Sequence, residues 1–109
     1  MIGREMKEYK ICKIVHSGTQ GERGTEKRSP YDIDRIGRTV TFDLFELRKM
    51  AGTGKFVYLQ YLKDKDGNDL QFRAMRMSPI NSINWFGDKT VIVVETENTI
   101  YTFKEVANK

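Results

Sequence analysis

A single cysteine, Cys12, leaves this chain no partner for an internal disulfide. Oxidation can add nothing to its fold, and a reducing compartment such as the cytoplasm is the expected location. A single histidine, His16, is equally limiting, because no second Cys or His is present to complete a zinc site, for which structural zinc takes four such ligands and catalytic zinc usually three. No apolar run exceeds four residues, as in Val91 to Val94, far short of the roughly 18 of a membrane span. Met1 to Lys13 carries charges where an export signal has an apolar centre. Neither export nor membrane contact is expected. A block of one charge is lacking too: 19 basic and 15 acidic residues give a net charge of +4, and the two signs are interleaved along the chain. Such mixing suits a solvated surface as well as a polyanion site.

The composition that remains is that of a folded domain, with 39% hydrophobic and 31% charged residues. At 109 residues one core is expected, so residues 1–109 form a single domain. Period-2 alternation predicts strands over residues 6–16, 38–48, 55–63, 69–77, 81–85, 89–96 and 99–106. In the first, Tyr9, Ile11, Lys13 and Val15 are expected on one face and Lys10, Cys12, Ile14 and His16 on the other. The stretch 17–30 has three glycines and five charges but no large apolar side chain, which predicts a mobile loop. Asp43, Glu46, Leu47, Met50 and Gly52 also fit a short capped helix, but the alternation favours a strand to about Leu47.

The strongest turn signal is Asp64-Lys65-Asp66-Gly67-Asn68, a type I turn with Gly67 left-handed. Its register sets Lys63 opposite Asp69, Leu62 opposite Leu70 and Gln60 opposite Phe72, with Leu59, Tyr61, Gln71 and Arg73 sharing a face. Pro79 has no amide proton and ends the ladder. In the closing hairpin, Ile92 and Val94 share a face with Tyr101 and Phe103. Six to seven short antiparallel strands with little helix make an all-β barrel or sandwich, and a closed or strongly curled barrel is preferred because it hides strand edges.

Candidate chemistry is sparse. On a regular strand Cys12 and His16 would stand about 13 Å apart, too far to act as nucleophile and base. The glycines at 18, 21 and 24 lack the Gly-Lys-Ser/Thr of a phosphate loop, and the acidic turn at 64–69 lacks the order of a calcium loop. Asp43 is the one carboxylate set among apolar neighbours, where facing water is the simpler reading. The expectation is therefore no enzyme activity, no cofactor and no metal.

Two binding readings remain. Trp85 and Phe86 at a turn, with strands apolar on both faces, suggest a contact with a protein partner or with a second copy. Arg28, Arg35, Arg38 and Arg73, with Tyr61 as a stacking surface, suggest a weak nucleic-acid site. The expected function is a non-catalytic binding or assembly module contacting protein, with nucleic acid as the alternative.

Overall fold

The computed structural model describes residues 6–106. Its elements run β1 (Lys7–His16), α1 (Pro30–Arg35), β2 (Thr39–Phe42), α2 (Leu44–Arg48), β3 (Val57–Lys63), β4 (Ala74–Met77), β5 (Ile80–Phe86), β6 (Val91–Thr96) and β7 (Thr99–Glu105). All seven strands join one antiparallel sheet in the order β4-β3-β2-β1-β7-β6-β5. The fold is all-β, as the alternation predicts.

The two outer strands, β4 and β5, are consecutive in the chain and joined only by Ser78 and Pro79. A flat seven-stranded sheet would hold its edges about 29 Å apart. Three Cα steps from Met77 to Ile80 reach about 10 Å at most. The sheet must therefore roll until its edges meet, although no hydrogen-bonded ladder closes β4 onto β5 and the result is a curled, open barrel. Pro79 sits where the extended chain leaves β3 as a partner and takes up β6, a position that needs no donor from it.

The interior is filled by alternate residues of β2, β3, β4, β6 and β7. Val40 and Phe42, Val57, Leu59 and Tyr61, Met75 and Met77, Ile92 and Val94, and Tyr101 and Phe103 are all buried. The closing hairpin has the predicted facing, with Ile92 opposite Phe103 and Val94 opposite Tyr101. Tyr9 stacks on Phe42 at 4.2 Å between ring centres, and Phe42 meets Phe103 edge-on at 5.4 Å. In β1 the alternation breaks: the register with β7 slips at Cys12, so Ile11 and Ile14 both face inward. The expected grouping of Tyr9, Ile11, Lys13 and Val15 on one face fails for this reason, because a β-bulge reverses facing beyond it. Val15 points outward, yet it is covered because Glu26 bridges to it.

Two short helices cover the two mouths of the roll. The strand expected to run to Leu47 stops at Phe42, and the capped helix takes its place. Asp43 is the N-cap, its carboxylate accepting from the N–H of Phe45 at 2.9 Å. Its burial is thus explained by capping rather than by chemistry. Leu44 and Leu47 of α2 pack into the core, and Gly52 beyond it adopts φ +79° and donates its N–H to Ile80 O at 2.9 Å. That bond ties the end of the α2 segment to the β4–β5 corner.

Helix α1 has no counterpart in the expected strands. Its signal is Ser29-Pro30, an N-cap serine followed by a proline at the first turn, with the Ser29 hydroxyl accepting from Asp32 N–H. The absence of apolar periodicity hid it.

The segment 17–29 has few apolar anchors, yet polar contacts hold it to the sheet. His16 N–H donates to Thr25 O at 2.8 Å, Gly24 N–H to His16 O at 2.9 Å and Lys27 N–H to Ile14 O at 3.0 Å. Arg23 forms a two-pronged pair with Glu95 of β6, both bonds 2.7 Å. The Arg23 hydrogen bonds hold the Glu95 carboxyl below its ordinary range. A carboxylate with a lowered folded-state pKa contributes fully above its unfolded value, and that contribution is lost as pH falls through the lowered one. On acidification the protection of the Gly24 and Thr25 amides should begin to fall as pH enters the range where ordinary glutamates titrate, and keep falling until the lowered Glu95 value is passed. In Arg23→Ala they should exchange faster at neutral pH. Hydrogen exchange followed by NMR checks both, and equal protection in the variant would contradict the tether.

Candidate functional site

Charge collects at the mouth beside α1. Arg38, just before β2, is buried, and its guanidinium stands 4.9 Å from the centre of the Tyr61 ring. One of its terminal nitrogens donates to Asp34 of α1 at 2.7 Å, an i,i+4 pair in which the arginine side chain is 9% exposed and the aspartate 62%. Its Nε–H is buried and has no acceptor. Arg35, one turn along α1, lies 5.8 Å from the ring of exposed Tyr31. Beneath them Tyr101 is buried, and burial raises its phenol above the ordinary range, with nearby Arg35 opposing that shift.

The remaining wall comes from β3 and β4 through an irregular turn. The predicted register holds at the tip, where Lys63 bridges to Asp69, Leu70 N–H donates to Leu62 O at 2.9 Å, and Gly67 takes φ +89°. The Asn68 and Asp66 amides donate to Asp64, holding that carboxyl below its usual range. Beyond Leu70 the register fails: Gln60 pairs with Ala74, not with Phe72. Residues 70–73 form an extra turn closed by Arg73 N–H to Leu70 O at 2.9 Å. Phe72 is pushed into solvent, 80% exposed. The Gln60 amide holds this turn, its Nε2 donating to Gln71 O at 2.6 Å and Arg73 O at 3.1 Å.

Together Tyr31, Asp34, Arg35, Arg38, Tyr61, Arg73 and Ala74 line a cleft of about 110 Å³. Four of the five residues expected at a nucleic-acid site meet here: Arg35, Arg38, Tyr61 and Arg73. The fifth, Arg28, lines a separate cleft with Lys27 and Lys65 and pairs with Glu26 at 3.3 Å. Tyr61 does not share an open face with Gln71 and Arg73 as expected. It faces the interior at 2% exposure, so its ring is no stacking surface. Tyr31 and Asp34, missed in the sequence, belong to the site because α1 was missed.

The two residues expected at a protein interface separate. Trp85 is half-buried against the core with Arg48 of α2 at 4.7 Å from its ring, while Phe86 is 58% exposed. On the two-faced strand expected to offer an apolar patch, aromatic residues are open on the outer face of β3 and just before it: Phe56 is 51% and Tyr58 64% exposed, and Arg76 of β4 stands 4.8 Å from the Phe56 ring. Tyr58 pairs with Arg76 across the strands. Beside them lies a groove of about 310 Å³ whose lining includes Met6, Thr41, Leu47, Met50, Tyr58 and Gln60.

Cys12 is the bulge residue, its thiol directed to Lys10 O at 3.6 Å, and His16 packs so tightly on Gly21 that a Cβ there would fall 2.8 Å from the ring. Among the described residues no group of three His, Cys, Asp or Glu side chains is placed to hold a metal ion. No helix among them is long and apolar enough to cross a membrane. No family model, curated protein or solved structure matches this chain.

The Gln60 side chain supports the 70–73 turn and can be removed by substitution without touching the core. Gln60→Ala should lower stability by about 1 kcal/mol. Gln60→Glu should cost more, since a carboxylate cannot donate and would face the Gln71 and Arg73 carbonyl oxygens. Denaturant unfolding of the three proteins checks the order, and a Glu variant at least as stable as wild type would contradict it.

Proposed function

We propose that this chain is a non-catalytic binding module that contacts a protein partner through the outer face of β3 and β4. The observation that carries the reading is the set Phe56, Tyr58 and Arg76, open to solvent beside an apolar groove. Aromatic residues and arginine dominate the energetic centres of protein interfaces, because they bury large area with few torsions to freeze.

The nucleic-acid reading has less support. Of the bases in and after the 17–30 segment, Arg23, Lys27, Arg28 and Arg38 are each engaged by an acceptor of this chain. Tyr61 is covered. A polyanion would find few free cations there and no stacking ring beyond Tyr31.

Cross-linked capture from the native cell, with wild type and Tyr58→Ala compared, tests the proposal. A partner held by wild type and lost by a variant of unchanged melting temperature is the expected result. Equal capture by both would remove this face as the interface. Micromolar binding of an oligonucleotide at about 150 mM salt, weakened by Arg35→Ala and Arg73→Ala, would favour nucleic acid instead.

A further inference from the structure

The cleft beside α1 is separate from the aromatic face of β3 and β4, and what it could hold does not depend on the protein-partner reading. We propose that it binds a single phosphate-sized oxyanion, either inorganic phosphate or the terminal phosphoryl group of a small monoester. Three arginines, Arg35, Arg38 and Arg73, line it against one carboxylate, Asp34. Guanidinium groups present several N–H donors in a planar fork that matches the oxygens of phosphate.

Arg38 carries the argument. It is buried, oriented by the Tyr61 ring and by Asp34, and it keeps a buried Nε–H without an acceptor. A buried donor left unpaired is costly, and such a donor in a native fold calls for an explanation. An oxyanion seated among the three arginines would supply oxygens where the chain supplies only Asp34. A guanidinium fixed in advance also loses little freedom when a ligand arrives.

The cleft, about 110 Å³ in volume, has room for one phosphoryl group. Asp34 sets the affinity: it is mostly exposed, occupies one Arg38 nitrogen and repels an incoming anion, so the site should bind weakly while that carboxylate is in place.

Titration of the full chain with inorganic phosphate, at ionic strength held constant with chloride, tests this by NMR. The expected result is a saturable shift below about 10 mM, confined to residues 31–38, 61 and 73–74. Arg73→Ala, an exposed position, should weaken binding about tenfold. Asp34→Asn should tighten it several-fold, a gain that a merely structural role for the cluster would not produce. Glycerol phosphate as a second probe separates the sources: binding at least as tight as phosphate assigns a monoester, and weaker binding assigns the free ion. Shifts that do not saturate, that spread over the surface, or that persist unchanged in both variants would overturn the proposal. So would an oligonucleotide that binds where phosphate does not.

Discussion

Two residues between β4 and β5 constrain the whole architecture. Because Ser78 and Pro79 alone join the first and last strands of the sheet order, the sheet cannot lie flat. Rolling it creates an inside, and the alternation of each strand then decides what fills that inside. Met75 and Met77 on one edge and Ile80 on the other are all essentially inaccessible, so the corner is sealed by packing even though no ladder crosses it. The Gly52 N–H bond to Ile80 O adds a polar clasp at the same corner.

Rolling also leaves two mouths, and the chain treats them differently. At one, α2 inserts Leu44 and Leu47 above the Tyr9, Phe42 and Phe103 rings, which extends the apolar core to the end of the barrel. At the other, α1 brings Asp32, Asp34, Arg35 and Arg38 over Tyr61 and Tyr101. Buried charges are costly unless paired. Arg38 meets that requirement in part, through Asp34 and the Tyr61 ring, and keeps one donor unmet. The apolar mouth serves stability, while the polar mouth retains the unspent interactions from which a binding site can be made.

Much of the framework could be read from the residues, and the failures have physical causes. The β6–β7 hairpin was legible because the β-branched run Val91 to Val94 is too short for a helix and the chain turns at Glu97 and Asn98. The 64–68 turn was legible because Asp64 and Gly67 impose it locally. The register beyond Leu70 was not, since the extra turn depends on the Gln60 side chain reaching across from another strand. The bulge at Cys12 likewise leaves no local mark. For α2 the capping residues were visible, but strand alternation through Phe45 and Leu47 outweighed them. At the polar mouth the arginines stood out one by one. That Arg35, Arg38, Tyr61 and Arg73 would meet was hidden, because it takes α1, the approach to β2, β3 and the extra turn to bring them together.

If the short link is what holds the roll together, lengthening it must weaken the fold. Inserting about eight glycine and serine residues between Ser78 and Pro79 leaves every buried side chain in place and changes only the entropy of bringing the edges together. The account predicts a single cooperative denaturant transition with stability lowered by about 1 to 2 kcal/mol. An unchanged midpoint would contradict it, and would mean that interior packing alone brings the edges together.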